Sequence, residues 1–360
     1  MYNGENYLSQ FQDKKLNQIV IPGSHDAGIY LDENSPSGKT QNLNIFNQAT
    51  AGCRWFDIRV TGKETANGQV ELRAFHSIFK PTTKINMKEV GGTQALDRKL
   101  ATDFGGKLED MLIHARAFVK NNVNEFLIFK ISKSSNIEKV YDMCVERLGD
   151  FHYKEEGDTW NLNTQKVSNL RGKVITLFSE KDCKLIENYS KKRYKFSIHR
   201  AGAFPFVELL GEYEIKAYNQ EARGLQYYGK YSDTNKVEEN VKKQSKRLTD
   251  YLKAGNDFNP EAMGVLYWTL TTQKNPTAFT DNNIEDRNNM QMWSPTGIQE
   301  LKELFSDVVS KFMEKKSKSN KSNKFDDMKL SKYFIPNVVM IDFVSKEKCE
   351  EIHKLNTGLV

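Results

Sequence analysis

Cysteine is scarce in this 360-residue sequence, and its few occurrences follow no pattern. Cys53, Cys144, Cys183 and Cys349 lie far apart, and neither a CxxC pair nor a Cys/His spacing typical of zinc ligands joins them. The sequence therefore predicts no disulfide framework and no zinc site. We interpret the four side chains as buried or free thiols.

Long apolar runs are also missing. No stretch approaches the roughly 18 consecutive apolar residues that a membrane-spanning helix needs. The opening residues, MYNGENYLSQFQ, lack the basic start and the apolar core of a secretory signal. We expect a soluble protein, and the sequence leaves open whether it is secreted or cytoplasmic.

Charge of one sign does not dominate the composition either. The chain has 53 Lys and Arg against 47 Asp and Glu, a formal net charge of +6. This excess is too small for the basic footprint of a nucleic-acid-binding protein, so we expect no nucleic-acid partner. It does favour approach to anionic lipid or phosphate substrates.

What the sequence does contain is an alternation of short apolar strands and amphipathic helices. About eight strand candidates are interleaved with at least four helices, which indicates an α/β fold whose parallel sheet closes into a barrel. The apolar content of 38% is enough for one sizeable core. We therefore predict a single domain over residues 1–360, with no internal repeat or domain boundary.

One segment differs from this pattern. Lys315–Lys332 reads KKSKSNKSNKFDDMKLSK, a low-complexity stretch of Lys, Ser and Asn that is poorly suited to burial. We predict a mobile, solvated insertion there. Contact with an anionic membrane is the alternative interpretation.

The first chemically suggestive stretch is Ile19–Gly28, IVIPGSHDAG. Its β-branched residues end at a Pro-Gly turn, and His25 and Asp26 follow directly. In a parallel barrel, residues just beyond the carboxyl end of a strand face the active site. A His-Asp pair in a loop is, however, also typical of a solvated turn or a capping arrangement.

Two further strands carry polar residues of the same kind. In CRWFDIRV, period-two alternation puts Trp55, Asp57 and Arg59 on one face of a strand. Charged side chains on an otherwise apolar strand are costly unless that face is polar and functional, although an edge strand with a wet face is the alternative. The next predicted strand, VELRAFH, ends in His76.

Later strands add more candidates. Lys130 lies near the end of the strand EFLIFKIS, where it is either a surface amine or a cation in the pocket. Asp342 is the one carboxylate in the apolar strand NVVMIDFVS and needs a partner if it is buried. Tyr227 belongs to a tyrosine-rich segment that either faces substrate or forms an aromatic cluster, and Trp268 lies on the strand MGVLYWTLT.

Together these residues suit acid–base cleavage of a phosphodiester. One histidine can take a proton from the attacking hydroxyl while the other gives one to the leaving oxygen, and a cation can stabilise the phosphate charge. Histidine suits both tasks because its pKa lies near neutrality.

The motifs resemble the catalytic X domain of phosphatidylinositol-specific phospholipase C. The resemblance rests on IPGSHDAG, GCRWFDIR, the strand ending in His76, NEFLIFK, RGKVITL and VVMIDFV, whose order and spacing agree through most of residues 15–345. NEFLIF, the spacing of the last strand and the overall length are also similar to glycosylphosphatidylinositol-cleaving members. The resemblance implies a distorted TIM-type (β/α) barrel acting on an inositol phospholipid or glycolipid at a membrane surface, and we expect a monomer.

The resemblance also implies roles. His25 would be the general base on the inositol 2-hydroxyl, oriented by Asp342, and His76 the general acid, assisted by Asp26. Arg59 would stabilise the phosphate. The products would be diacylglycerol and inositol 1,2-cyclic phosphate.

Substrate contacts follow in the same way. Lys130 would contact the inositol headgroup, with Asp57, Tyr227 and Trp268 as further candidates. Ser179 stands where bacterial secreted members carry a basic residue that contacts the inositol ring, and the second histidine is followed by Ser77 and Ile78 instead of a Gly-Pro turn.

The sequence further favours a metal-independent enzyme without a cofactor. The calcium-dependent branch of the family has an acid-x-acid pair where this chain has Asp57-Ile58-Arg59. A guanidinium in place of a carboxylate removes a ligand and adds positive charge where the cation would bind.

Two alternatives remain. A metal-dependent glycerophosphodiesterase-like barrel would also use two histidines but would need Mg²⁺ held by paired acids. A non-catalytic inositol-lipid-binding barrel is the other, although a binding protein has no physical need for the full acid–base set.

Overall fold

The computed structural model describes most of the chain. The described residues are 2–31, 38–76, 103–132, 134–154, 162–179, 182–183, 185–186, 188–189, 206–209, 225–253, 263–270, 288–318 and 336–356. Within them the strands are β1 (Ile21–Ser24), β2 (Trp55–Glu64), β3 (Val70–His76), β4 (Asp103–Lys107), β5 (Phe126–Ser132), β6 (Lys173–Ser179), β7 (Phe206–Leu209), β8 (Leu225–Tyr228), β9 (Met263–Tyr267) and β10 (Pro336–Ile341). The α-helices are α1 (Ile45–Ala51), α2 (Leu108–Asn121), α3 (Ile137–Leu148), α4 (Val237–Lys253), α5 (Pro295–Lys318) and α6 (Lys346–Lys354).

The parallel strands form a closed ring. Going round it, the order is β1, β10, β9, β8, β7, β6, β5 and β2, and every neighbouring pair is parallel. The ring closes because β1 also pairs with β2, through Gly23 with Trp55 and Ser24 with Phe56. The predicted α/β barrel is confirmed.

The other two strands distort the barrel. β3 runs antiparallel to the outer half of β2, from Glu64 opposite Val70 to Val60 opposite Ala74, and β4 runs antiparallel to β3. Counting the segment before His76 with the barrel strands was therefore wrong. After the turn at Gly68 (φ 77°), β3 returns towards the barrel, and this return brings His76 to the site.

Apolar side chains alternate between two cores, one on each side of the sheet. On β2, Phe56 and Ile58 join the outer core, which packs against helices such as α2, whereas Trp55 joins the inner core. β5 follows the same rule, with Phe129 outside and Ile128 inside. This alternation confirms the predicted faces of β2, since only a strand places successive side chains on opposite sides.

The longest described helix reaches into the predicted insertion, since α5 spans Pro295–Lys318. The first four residues of the predicted mobile insertion are thus helical, which corrects that boundary, and residues 319–332 lie outside the described part of the chain. No α-helix among the described residues has both the length and the apolar character needed to cross a membrane.

A buried ion pair anchors the amino end of the barrel. Arg54 precedes β2 and Glu125 precedes β5, both side chains are fully buried, and the Arg54 Nε donates to Glu125 Oε2 at 2.7 Å. Arg54 Nη2 also donates to the Gly4 carbonyl at 2.6 Å, and Glu125 Oε1 accepts from the Leu8 backbone N–H at 2.8 Å. The pair thereby fixes the amino-terminal segment across the end of the barrel that faces away from the predicted site.

We predict that Arg54→Met destabilises the fold by about 3–5 kcal/mol, because it leaves the Glu125 carboxylate buried without its partner. The double variant Arg54→Met/Glu125→Met should lose less stability, since it buries no unpaired charge. Urea unfolding followed by tryptophan fluorescence measures both. A single variant as stable as the double variant would contradict this account.

Candidate active site

The centre of the candidate site is a histidine at the end of one strand, hydrogen-bonded to a carboxylate at the end of the neighbouring strand. His25 directly follows β1 and Asp342 directly follows β10, and these strands are paired in parallel. His25 Nδ1 lies 2.9 Å from Asp342 Oδ1, and the His25 backbone N–H donates to the Ile341 carbonyl at 3.0 Å. The carboxylate fixes the ring orientation and leaves Nε2 facing the barrel mouth.

Asp26 is the second buried carboxylate and is shared by three basic groups. Arg59 donates to it in bidentate fashion, with Nε 2.7 Å from Oδ1 and Nη2 hydrogen-bonded to Oδ2. His25 Nε2 and His76 Nε2 each lie 3.6 Å from the same Oδ2. The five residues predicted to be catalytic therefore converge at one end of the barrel.

A second ion pair lies on the adjacent strands. Asp57 of β2 and Lys130 of β5 are directly opposite in the register, and their Oδ1 and Nζ atoms are 3.1 Å apart. Ser132 Oγ donates to the same Oδ1 at 3.3 Å, and the Lys130 amine lies 5.8 Å from the centre of the Tyr227 ring. Asp57, Lys130 and Tyr227 thus lie together on the inner face of the barrel.

The other two predicted substrate contacts are Trp268 and Ser179. Trp268 is fully buried in the outer core, and its Nε1 donates to the Met292 carbonyl at 2.9 Å. The prediction that Trp268 faces substrate is therefore wrong. Ser179, the last residue of β6, is exposed at the rim, where its Oγ donates to Asp182 Oδ2 at 2.6 Å.

Sequence reasoning missed two aromatic neighbours of His25. The Tyr231 ring stacks on the imidazole with centroids 4.9 Å apart, and Tyr267 meets it edge-on at 6.1 Å. The tyrosine-rich segment was a signal for Tyr231, although it gave no reason to select this tyrosine over its neighbours. Tyr267 immediately precedes Trp268 in the sequence. Successive side chains of a strand point to opposite sides, so Tyr267 faces the site while Trp268 faces the outer core.

The electrostatics of the two histidines differ in sign. Burial opposes charge on His25, but the carboxylates of Asp26 and Asp342 outweigh it and raise the pKa of His25 to about 9. Burial dominates at His76 and, with the positive charges of Arg59 and His25, lowers the pKa of His76 to about 4 despite Asp26. Between about pH 4 and pH 9, His25 is therefore the imidazolium and His76 is the neutral imidazole.

The carboxylates and the lysine follow the same logic. Burial would raise the pKa of Asp26, but Arg59 and the two histidines hold it well below its usual value. Burial raises the pKa of Asp342, which His25 only partly offsets. Burial opposes charge on Lys130, yet Asp57 keeps the pKa of the amine well above its usual value.

The arrangement can therefore bind an anion and transfer protons around it. It offers two permanent cations, Arg59 and Lys130, and a pair of imidazoles on either side of one carboxylate. In the described ranges no group of three or more His, Cys, Asp or Glu side chains is arranged to hold a metal ion.

Comparison with family models gives no match. Individual relatives are similar over part of the chain. A PI-PLC X-box domain-containing protein of Dictyostelium discoideum is 29% identical over 169 residues, which is 41% of this chain and 19% of the relative. A 1-phosphatidylinositol phosphodiesterase of Staphylococcus aureus is 38% identical over 72 residues, 19% of this chain and 22% of the relative. The chain thus matches about a fifth of each of these relatives' own lengths.

Solved structures are similar over nearly the whole chain. The phosphatidylinositol-specific phospholipase C of Listeria monocytogenes superposes with a TM-score of 0.54 at 15% identity, covering 98% of this chain and 99% of that one. The corresponding S. aureus enzyme gives 0.51 at 14% identity, covering 98% and 97%. At such identities the structures establish a shared fold, and with the sequence matches they confirm the resemblance to the X domain.

We predict that the two histidines titrate far apart in an NMR titration of the ring protons, His25 near pH 9 and His76 near pH 4. Asp342→Asn should lower the pKa of His25, because it removes one of the carboxylates that favour the imidazolium. It should leave His76 nearly unchanged, which makes that ring an internal control. Titration of both rings near pH 6.5 would contradict the assignment.

Protonation of His25 should also contribute to stability. Its folded pKa lies above the unfolded value of 6.5, so the contribution is fully present below about pH 6.5 and is lost as the pH rises through about 9. Urea unfolding at several pH values, with Asp342→Asn for comparison, measures this dependence.

Proposed function

We propose that this protein is a phosphatidylinositol-specific phospholipase C-type phosphodiesterase that works without a metal ion on an inositol phospholipid or glycolipid at a membrane surface. The observation that carries the proposal is the convergence of His25, Asp342, His76, Asp26 and Arg59 at the carboxyl end of a parallel barrel. The similarity to X-domain proteins and to the fold of bacterial phospholipases C supports it.

In the proposed first step the inositol 2-hydroxyl attacks the phosphorus. His25, held by Asp342, takes the hydroxyl proton as the bond from O2 to phosphorus forms. The bond from phosphorus to the glycerol oxygen breaks, and His76 gives that oxygen its proton. The products are diacylglycerol and inositol 1,2-cyclic phosphate, and the proton that His76 loses is balanced by the one that His25 gains.

Arg59 is the proposed phosphate ligand. Its Nε and Nη2 face Asp26, so the carboxylate aims the guanidinium, and among the described residues Nη1 has no hydrogen-bond partner. A guanidinium held by one carboxylate loses little further conformational entropy when it binds an anion. Its charge stabilises the phosphorane oxygens that develop in the transition state.

The ion pair of Asp57 and Lys130 is the proposed headgroup site. A carboxylate and an ammonium 3.1 Å apart offer an acceptor and a donor to neighbouring ring hydroxyls. Tyr227 borders this pair, and Ser179 at the rim remains a further predicted contact. The wholly buried Trp268 is not part of the proposed site.

Without substrate, His25 is protonated near neutral pH, although the proposed mechanism uses it as the base. His25 must therefore pass its proton on before it can accept another. Binding of a phosphodiester anion beside His76 and Arg59 favours the imidazolium form of His76, because opposite charges raise the pKa of the cationic group. Substrate binding thereby redistributes the single proton of the pair.

We predict that the protein releases diacylglycerol and inositol 1,2-cyclic phosphate from vesicles of inositol lipids in excess chelator. Phosphatidylinositol, its phosphorylated forms and a glycosylphosphatidylinositol-anchored protein form the substrate panel. His25→Ala should reduce turnover by about 10²–10⁴-fold because it removes the general base, while vesicle binding is unchanged.

The same experiment separates the alternatives. Release that stops in chelator would indicate a metal-dependent glycerophosphodiesterase-like reaction. Vesicle binding with no release from any member of the panel would indicate a non-catalytic lipid-binding barrel and overturn the proposal.

A pH–rate profile cannot assign the two histidine roles, because either order of acid and base gives the same bell-shaped curve. We predict that a substrate whose leaving oxygen is replaced by sulfur restores most of the activity of His76→Ala, since a thiolate leaves without a proton donor. His25→Ala should not be restored. Restoration of His25→Ala alone would reverse the assignment.

A further inference from the structure

The segment Thr40–Gln41 lies between the two loops that carry the central pair of the site. One loop follows β1 and holds His25 and Asp26, and the other follows β10 and holds Asp342 and Phe343. Both Thr40 and Gln41 are buried, Gln41 completely. The Gln41 side chain binds backbone groups on both sides, whereas Thr40 binds the first loop through its hydroxyl and the second through its backbone carbonyl.

The Gln41 amide makes three hydrogen bonds to the two loops. Its Nε2 donates to the His25 carbonyl at 2.9 Å and to the Ile341 carbonyl at 3.3 Å. Its Oε1 accepts from the Val344 backbone N–H at 2.9 Å. One side chain thereby joins the residue that carries the imidazole to both flanks of Asp342.

Thr40 adds two further links. Its Oγ1 donates to the Asp26 carbonyl at 2.9 Å, and its own carbonyl accepts from the Phe343 backbone N–H at 2.8 Å. The segment is itself fixed, because the backbone N–H groups of Thr40 and Gln41 both donate to the Ile29 carbonyl. The two loops are therefore cross-linked through a short, anchored piece of chain.

The linked loops contain backbone that needs support. Asp26 has φ 43° and Phe343 has φ 50°, in the left-handed region that side chains with a Cβ rarely adopt. Such conformations persist where surrounding bonds over-determine them. Each of the two residues is bound by Thr40, so the links lie at the strained positions.

A lysine holds the second loop from its other side. The buried Lys348 of α6 donates from Nζ to the Asp342 carbonyl at 2.9 Å and to the Phe343 carbonyl at 2.7 Å. The β10 loop is thus held by Lys348 against α6 and by Thr40–Gln41 against the β1 loop. Of these two contacts, only the latter joins the loop of Asp342 to the loop of His25.

We propose that Gln41, assisted by Thr40, is a positioning residue that holds His25 and Asp342 at hydrogen-bonding distance by cross-linking the backbones of their loops. Its relevance to catalysis rests on the proposed function, whereas the effect on the His25–Asp342 pair does not. Glutamine suits the task because the site presents two carbonyl acceptors and one N–H donor, and one amide can satisfy both kinds of group.

The barrel offers a matched control at its opposite end. Asn337 is also buried, and its Nδ2 donates to the Asn17 and Ile19 carbonyls while its Oδ1 accepts from the Gly264 N–H. It makes the same number and kind of backbone bonds as Gln41, but at the amino end of β10. A purely structural contribution should be similar at the two positions.

The test compares Gln41→Met and Asn337→Leu in the full chain. We expect Gln41→Met to lower kcat on phosphatidylinositol vesicles by about 10²-fold, because a displacement of roughly 1 Å at the reacting groups costs that much, with little change in KM. We also expect the pKa of His25, measured by NMR, to fall from about 9 towards 6.5. Neither substitution replaces a charged or aromatic side chain around His25, and these are Asp26, Asp57, Arg59, His76, Asp342, Tyr231 and Tyr267.

Asn337→Leu should lose comparable stability in urea yet keep the wild-type kcat and the His25 titration. Equal changes in both variants, or an unchanged His25 pKa in Gln41→Met, would overturn the proposal. If Gln41→Met does not fold, Thr40→Val provides a milder variant, because it removes only the hydroxyl bond to the Asp26 carbonyl. It should lower the pKa of His25 as well, by a smaller amount. If the wild-type protein cleaves no inositol lipid, the NMR titration still decides the positioning role, and only the proposed function fails.

Discussion

The placement of β1 between β10 and β2 is the constraint on which the rest of the structure depends. This strand has only four residues, yet it pairs in parallel on both sides and so closes the ring. The same pairing places the residue after β1 beside the residue after β10, which is how His25 meets Asp342. The strand pairing that closes the barrel therefore also brings together the two residues of the central hydrogen bond, His25 and Asp342.

Charge balance explains why so many ionisable groups can share a buried space. Asp26 faces Arg59, Asp57 faces Lys130, and Asp342 faces His25, so each carboxylate has a basic partner within hydrogen-bonding distance. Charges removed from water are tolerated only when they are paired in this way. The two imidazoles still differ in pKa, because Asp26 and Asp342 outweigh burial at His25, whereas burial and the positive charges of Arg59 and His25 outweigh the carboxylates at His76.

Much of the site could be predicted from the sequence because it follows from strand direction. Once His25, Arg59 and Asp342 are assigned to parallel strands, their convergence is a geometric necessity. The local sequence pattern could not determine which way the Trp268 side chain points. β9 is apolar on both faces, so either Tyr267 or Trp268 could point into the barrel. The antiparallel direction of β3, in contrast, could have been predicted, because the short Asn67-Gly68 connection from β2 allows a hairpin but not the long crossover that a parallel pair needs.

The role of Gln41 illustrates a second limit. A polar residue in a turn-rich stretch is ordinarily a solvated loop residue, and only the folded positions of His25, Ile341 and Val344 give its amide three partners. Tyr231 is similar, because its contact with His25 depends on where β8 ends within the ring. Interactions between distant loops leave no periodic trace in one sequence.

The ion pair of Arg54 and Glu125 has a practical consequence for handling the molecule. Because it binds the backbone at Gly4 and Leu8, the segment that begins with Tyr2 lies against the floor of the barrel, opposite the mouth that contains His25. A tether or an immobilising support attached ahead of this segment would leave from the floor. The end of the barrel that contains His25 would then face away from the support.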